Sequence, residues 1–275
     1  MRAWLRLLRA GNLVILGGAI LLGHALAGGG SPTHLMPALF AAAFLVGAFY
    51  LWNDVADLAV DRINRPDRPL PSGAIAEKTA RRVGTVLLPL AFCCALGAGV
   101  FALGTIALWS LLLLLYERYL KRAGFAGNLL VSAVASSALL YGARLGGAIE
   151  AGIAPALFAF FLHLAREIVK DIQDMPGDPR GARRTLPLSV GGKRALLWCA
   201  FPLALLVLFS PVPFLIGMYN VFYLAIVIVG IDLLLAVALF LCYARPDRAR
   251  LGMLARLLKG QMVVGMAAIL VGSAF

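Results

Sequence analysis

Nine long apolar runs constrain what this chain can fold into. They cover residues 12–28, 36–56, 80–99, 102–117, 128–149, 153–172, 192–210, 214–243 and 252–274. A helix of about 20 apolar residues spans the hydrocarbon core of a bilayer and satisfies its own backbone hydrogen bonds there. The runs are too long to be the alternating strands, roughly ten residues each, of a membrane barrel. We therefore predict an all-α integral membrane protein with nine transmembrane helices, formed by a single domain over residues 1–275.

The charge content excludes other classes of protein. Only 14% of the residues are charged and 62% are hydrophobic, whereas a soluble domain of this size carries far more charge on its surface. The net charge of +12 could suggest nucleic-acid binding, but the basic residues lie between apolar runs and form no RNA-binding motif. The three histidines are scattered along the chain, which argues against a histidine-built metal site. We expect no nucleic-acid partner.

The distribution of Lys and Arg predicts how the helices are oriented. With the N-terminus in the cytoplasm, the cytoplasmic segments are 1–11, 57–79, 118–127, 173–191 and 244–251. Every Lys and Arg except Arg144 lies in or beside these segments. Cytoplasmic loops of membrane proteins carry an excess of basic residues. We therefore expect a multi-pass protein of the cytoplasmic membrane with its N-terminus inside.

An acidic stripe lies at the end of the second apolar run. Asp54, Asp57 and Asp61 are spaced i, i+3 and i+7, which places them on one face of a continuous helix. They would lie within about 10 Å along its axis. Aspartate is costly inside a membrane, so three aspartates on one face require a partner. A hard divalent cation, which prefers oxygen ligands, would be such a partner.

A second acidic stripe repeats this spacing after the sixth run. Asp171, Asp174 and Asp178 also lie at the expected cytoplasmic end of an even-numbered helix. Both stripes precede basic residues, namely Arg62, Arg65 and Arg68 after the first and Arg180, Arg183 and Arg184 after the second. Magnesium binds a few carboxylates together with substrate phosphates, and arginine or lysine takes the remaining phosphate oxygens. Two matched stripes on one membrane face favour a metal–diphosphate site over salt bridges at helix ends.

The two stripes resemble the aspartate-rich motifs of UbiA-type intramembrane prenyltransferases. The first reads Asn53-Asp54-x-x-Asp57-x-x-x-Asp61 with the tail Arg-Pro-Leu-Pro-Ser-Gly at 68–73, and the second reads Asp171-x-x-Asp174-x-x-x-Asp178. The resemblance covers nearly the whole chain. It implies nine helices around a central cavity and two Mg²⁺ ions held by the motifs. It also implies a polyprenyl diphosphate as the donor substrate and membrane lipids around the protein.

The resemblance also implies roles for individual residues. Six aspartates would act in catalysis and bind metal, with Asn53 as a further metal ligand: Asp54, Asp57, Asp61, Asp171, Asp174 and Asp178. The candidates for diphosphate binding are Arg62, Arg65, Arg68, Lys121, Lys170 and Arg184. The candidates for substrate binding are Arg9, Asn12, Tyr116, Asn128 and Arg144. The alternatives are a purely topogenic charge at Lys121, helix capping at Asn128, and an outward position beside Glu150 for Arg144.

The reaction is a further implication of the resemblance. Around the second motif, the sequence is most similar to the digeranylgeranylglyceryl phosphate synthases of the family. This predicts Mg²⁺-dependent transfer of a polyprenyl group, expected to be geranylgeranyl, to the hydroxyl of geranylgeranylglyceryl phosphate, which forms an ether lipid. The alternative within the family is an aromatic acceptor such as 4-hydroxybenzoate or another quinone or chlorophyll precursor. The alternative outside it is a membrane transporter, although transporters typically place acidic groups near the bilayer midplane.

Overall fold

The fold is a bundle of long apolar helices. The structure is a computed structural model, and it describes residues 1–30, 32–175 and 185–273, except for the side chain of Arg122. Asp178 and Arg184, both predicted site residues, lie outside the described residues. Within the described part of the chain there are helices and turns but no strand. The prediction of an all-α fold is confirmed.

Nine helices correspond to the nine apolar runs among the described residues. They are α1 (Ala10–Leu26), α2 (Pro32–Ala56), α3 (Glu77–Ala98), α4 (Val100–Arg118), α5 (Phe125–Gly146), α6 (Ile153–Asp174), α7 (Gly192–Phe209), α8 (Val221–Ala244) and α9 (Arg248–Ser273). Eight of them are long and apolar enough to cross a membrane, and α1 is a shorter apolar helix of 17 residues. A short helix at Arg2–Leu7 precedes α1, and short helices lie in the connections between the nine, at Leu58–Asn64, Leu120–Arg122, Ile149–Gly152, Leu186–Val190 and Val212–Leu215. The chain is a multi-pass membrane protein.

The first acidic stripe does not lie on one continuous helix. Helix α2 ends at Ala56, Asp57 occupies a turn, and a separate helix runs from Leu58 to Asn64. The backbone N–H of Asp57 still donates to Asn53 O at 2.8 Å, and that of Asp61 donates to Asp57 O at 2.8 Å. The break at Asp57 therefore keeps these two backbone hydrogen bonds, and the predicted single helix is wrong at this point.

The eighth span is shorter than its apolar run. Residues 214–220 are apolar enough to extend the run, but Gly217 adopts a φ of +73° and ends the short helix Val212–Leu215. Helix α8 begins after Asn220, whose Oδ1 accepts hydrogen bonds from the backbone N–H groups of Phe222 and Tyr223 at 2.9 and 3.3 Å. Hydropathy does not depend on backbone conformation, so the apolar character of this stretch did not predict its turn and helix cap.

Small residues bring α1 and α5 into close contact. A Cβ atom on Gly23 would lie 2.1 Å from Leu139 O, and one on Gly142 would lie 2.0 Å from Ile20 O. Only glycine allows the two backbones to approach this closely, as is common between membrane helices. Helix α1 also contacts α2 and α9, and α6 contacts α5, α7 and α9. These contacts fix the helices that surround the site.

Candidate active site

One cavity of about 900 Å³ opens between six of the nine helices. Its described lining comes from α1, α2, α4, α5, α6 and α9 and from the segment after α2. Charged side chains gather at one end, and the walls beyond them are apolar, with Phe49, Trp109, Leu139, Phe158, Met262 and Ile269 among the lining residues. The volume is within the range of ligand-binding pockets. The arrangement combines a polar mouth with an apolar chamber inside the bundle.

The first motif lies at the polar mouth, where each of its carboxylates contacts a basic side chain. Arg9 Nη2 donates a short hydrogen bond to Asp54 Oδ1. Arg68 Nη1 lies 2.6 Å from Asp61 Oδ2 and 3.8 Å from Asp54 Oδ1, so it bridges the two buried carboxylates. Lys121 Nζ lies 2.9 Å from Asp57 Oδ1. Arg68 and Lys121 both lie in the cavity, as the resemblance implied for diphosphate-binding residues.

The second motif faces the same mouth from the end of α6. Asn128 Nδ2 at the start of α5 donates to Asp171 Oδ2 at 2.9 Å. Arg65 Nη2 donates to both carboxylate oxygens of Asp174, at 2.8 and 3.0 Å, and Asn64 Nδ2 donates to Asp174 O at 2.9 Å. Residues that follow the first motif thus hold the second. The structure brings together the two motifs that the sequence separates by more than a hundred residues.

Basic or amide side chains contact every described aspartate of the two motifs. Burial lowers the pKa of the Arg65 guanidinium more than the neighbouring Asp174 carboxylate raises it. Burial also acts to lower the pKa of Arg9, but Asp54 and Tyr50 outweigh it and raise that pKa. Both groups stay charged, because an arginine is not deprotonated in proteins. The mouth therefore holds fixed positive charges directly against its carboxylates.

The remaining predicted residues divide between the cavity and the outside of the bundle. Asn12 and Tyr116 line the cavity, and Asn12 Nδ2 donates to the Tyr50 hydroxyl at 3.3 Å. Arg62 is exposed and is not among the lining residues. Arg144 is exposed at the end of α5, about 24 Å along the helix from Asn128, and its guanidinium lies 5.3 Å from the centroid of the Phe101 ring. The structure therefore does not bring Arg62 or Arg144 to the site.

Two glutamates in the cavity, Glu117 and Glu167, were not predicted as site residues. Glu117 accepts from Asn53 Nδ2 at 2.5 Å and from Lys121 Nζ at 2.9 Å, which connects α4 to the first motif. The spacing of four between Glu117 and Lys121 was a signal that could have found this pair. Glu167 accepts from Lys170 Nζ at 2.7 Å, so Lys170 reaches the cavity paired with a carboxylate.

The motif side chains suit a hard divalent cation in their chemistry. They supply carboxylate and amide oxygens, which are the ligands that Mg²⁺ prefers. Among the described residues, no three acidic, histidine or cysteine side chains are clustered closely enough to hold an ion together. Each described aspartate of the motifs instead contacts a basic or amide side chain.

This chain is similar to known proteins of one family. A model of the UbiA prenyltransferase family matches residues 16–258. A digeranylgeranylglyceryl phosphate synthase from Sulfolobus acidocaldarius is 35% identical over 88% of this chain and 88% of its own length. One from Halobacterium salinarum is 35% identical over 98% of this chain and 97% of its own length.

Solved structures share the fold. A structure that concerns digeranylgeranylglyceryl phosphate synthase in membranes aligns with a TM-score of 0.75 at 27% identity and covers 99% of this chain and 98% of its own. A UbiA homologue from Archaeoglobus fulgidus, bound to GPP and Mg²⁺, aligns with a TM-score of 0.70 at 22% identity over 98% of this chain and 100% of its own. The likeness extends over the whole bundle.

Proposed function

Because the chain belongs to the UbiA prenyltransferase family, we propose that it transfers a geranylgeranyl group from geranylgeranyl diphosphate to geranylgeranylglyceryl phosphate. The bond between C1 of the prenyl group and the diphosphate oxygen breaks, and diphosphate leaves with the electron pair. The acceptor hydroxyl oxygen then bonds to C1, which forms the second ether of the lipid. The hydroxyl proton passes to an oxygen base of the polar mouth, either the departing diphosphate or an aspartate. We further propose that residues 1–275 form one transmembrane prenyltransferase domain.

The observation that carries the proposal is the meeting of two acidic motifs at the mouth of one apolar chamber. The motifs approach each other through the Arg65–Asp174 ion pair at 2.8 Å. A polyprenyl diphosphate has the same division, with a charged head and a long apolar tail. The chamber that continues past Phe49 and Trp109 to Ile269 suits the tail and keeps the reacting carbon away from water.

Two Mg²⁺ ions are proposed at the mouth. Asn53, Asp54, Asp57 and Asp61 would hold one, and Asp171, Asp174 and Asp178 would hold the other. Bound Mg²⁺ neutralises the charge that develops on the departing diphosphate. The Archaeoglobus fulgidus homologue, which was solved with GPP and Mg²⁺, supports this cofactor.

The basic side chains have a double role in this proposal. Arg65, Arg68 and Lys121 contact aspartates of the motifs at 2.6–2.9 Å. A cation bound to these carboxylates would leave the basic side chains available to the phosphate oxygens, which arginine binds well. Basic side chains would then neutralise the carboxylates before the donor binds, and the metal would neutralise them afterwards.

The acceptor is inferred from the relatives. Two of them are named digeranylgeranylglyceryl phosphate synthase and are 35% identical to this chain over 88% and 98% of its length. We also propose that the mouth lies on the cytoplasmic side of the cell membrane. The basic residues are concentrated at the loops of that face, and Arg9 at the start of α1 contacts Asp54 at the end of α2.

An acceptor panel tests this proposal. Purified protein in lipid nanodiscs is supplied with Mg²⁺, geranylgeranyl diphosphate and one acceptor at a time. We expect a digeranylgeranylglyceryl phosphate product, detected by mass spectrometry, from geranylgeranylglyceryl phosphate and none from 4-hydroxybenzoate. Product from the aromatic acid alone would contradict the acceptor assignment and would leave the prenyltransferase assignment intact.

A further inference from the structure

A second group of cations lines the same cavity from α6 and α9. Arg166 and Lys170 on α6 and Arg256 and Lys259 on α9 all line the cavity, and we call them the α6–α9 basic cluster. Arg166 precedes Asp171 by five residues, which places it about 7.5 Å further along α6 from the mouth. Helix α9 contacts α6 directly. The cluster therefore lies on the cavity wall that α6 and α9 form, with Arg166 beyond the aspartates of α6.

The α6–α9 basic cluster has far less acidic compensation than the mouth. Glu167 contacts both Lys170 at 2.7 Å and Arg166 at 3.3 Å. Neither Lys259 nor Arg256 forms an ion pair with any residue that the structure describes. Four cations thus share one described carboxylate, whereas each described aspartate of the motifs has its own partner. Arg256 is exposed, but Arg166 and Lys259 are partly buried, and partly buried positive charge with so little acidic compensation favours a bound anion.

Two details concern the donor groups of Arg166 and Lys259 in this cluster. The Nε of Arg166 is buried and has no hydrogen-bond partner among the described residues, and such a group costs stability unless something binds it. Lys259 Nζ lies 3.3 Å from the position that a Cβ on Gly11 would occupy, so the glycine leaves room for the amine at the cavity wall. Glu167 is the one carboxylate that contacts the cluster among the described residues. The cluster therefore suits an anion that binds directly, without a bridging metal.

We propose that the α6–α9 basic cluster binds the phosphate monoester of the acceptor lipid, with Arg166 and Lys259 as the principal ligands. This inference rests on the proposed function for the identity of the lipid. A phosphate monoester carries close to two negative charges at neutral pH, which matches the uncompensated charge better than a single carboxylate does. Lys259 lies beside Gly11, two residues from Arg9, and Arg9 contacts Asp54, so a phosphate at the cluster would hold the acceptor beside the donor headgroup.

The test compares Lys259→Gln and Arg166→Gln with the wild-type protein. Each is assayed with geranylgeranylglyceryl phosphate and with geranylgeranylglycerol, which lacks the phosphate. We expect the KM for the phosphorylated acceptor to rise roughly 10- to 100-fold, the range for a lost hydrogen bond to a charged group. We expect no change in the KM for the alcohol or for the donor. Lys259→Arg should restore most of the loss, and Lys193→Gln, at an exposed lysine away from the cavity, is the matched control.

Binding measurements separate this inference from the proposed function. With Mg²⁺ and an unreactive thiodiphosphate analogue of the donor bound, a long-chain alkyl phosphate should bind the wild-type protein about 10-fold more tightly than it binds Lys259→Gln. Inorganic phosphate should bind much more weakly. This result would support the subsite even if geranylgeranylglyceryl phosphate proved not to be the acceptor. Equal losses with the phosphorylated and unphosphorylated acceptors, or equal binding of alkyl phosphate and inorganic phosphate, would overturn it.

Discussion

Arg65→Gln should change metal and donor affinity in opposite directions. Arg65 Nη2 donates to both oxygens of Asp174 at 2.8 and 3.0 Å, so it competes with any cation for that carboxylate. The side chains of Arg65 and Asp174 are 25% and 18% exposed, which makes the pair partly shielded from water. A hydrogen bond to a charged group contributes roughly 1.5–3 kcal/mol, and we take the lower end because of the residual exposure.

The expected magnitude follows from this free energy. Loss of a competitor worth about 1.5 kcal/mol should tighten Mg²⁺ binding about 10-fold in the absence of donor. The KM for the donor should rise by a comparable factor, because Arg65 is no longer available to the phosphate oxygens. Isothermal titration calorimetry in nanodiscs measures the first quantity, and steady-state kinetics at saturating Mg²⁺ measure the second. Arg82→Gln, at an exposed position of α3 outside the cavity, is the control.

A parallel weakening of Mg²⁺ and donor binding by Arg65→Gln would refute the reasoning. It would mean that Arg65 organises the carboxylates for the metal and does not compete with it. An unchanged Mg²⁺ affinity would also contradict the exchange of basic partners for metal at Asp174. The variant Arg65→Lys keeps the charge and loses the planar guanidinium. Its Mg²⁺ affinity and its KM for the donor should therefore lie between those of the wild-type protein and Arg65→Gln.

Two further predictions concern packing and the first motif. Gly142→Ala should destabilise the protein by about 1–3 kcal/mol and lower its thermal unfolding temperature, because its Cβ would lie 2.0 Å from Ile20 O. Gly17→Ala, whose Cβ would meet nothing within 4 Å, should not lower that temperature, and equal losses in the two variants would contradict the close contact. Lys121→Ala should raise the KM for the donor about 10-fold and Lys121→Arg should raise it less, because the ammonium lies 2.9 Å from Asp57 at the mouth. An unchanged KM for the donor in Lys121→Ala would mean that this lysine serves only to orient the membrane helices.

Much of the fold could be predicted because membrane spans are encoded locally. Hydropathy located all nine helices, and the boundary between α3 and α4 falls at Gly99, whose φ of +102° suits the glycine that stands there. The turn at Asp57 was not predictable in the same way. The spacing of the aspartates is compatible with one helix, and the chain departs from it where Asp57 meets Lys121 from another part of the chain.

Site residues could be predicted from the sequence where they belong to a repeated acidic motif. They could not be predicted where a positive charge is all that distinguishes them. The two acidic motifs stand out from apolar surroundings, so their residues could be named from the sequence. Arg62 and Lys259 illustrate the opposite case, since Arg62 follows an acidic motif and Lys259 lies within an apolar run, and neither position indicates whether the side chain reaches the site. The structure places Arg62 on the exposed side of its short helix and Lys259 in the cavity. That difference depends on the packing of α9 against α6, which sequence spacing does not encode.

The most direct test of the account is turnover in Asp54→Asn and Asp171→Asn, one aspartate from each motif. Both substitutions keep the size of the side chain and remove the charge that is proposed to hold Mg²⁺. We predict that each lowers the rate of prenyl transfer at saturating Mg²⁺ by at least about 100-fold. Helix content and insertion into the membrane should remain those of the wild-type protein. Retained Mg²⁺-dependent turnover in both variants would contradict the claim that the two motifs together form the metal–diphosphate site.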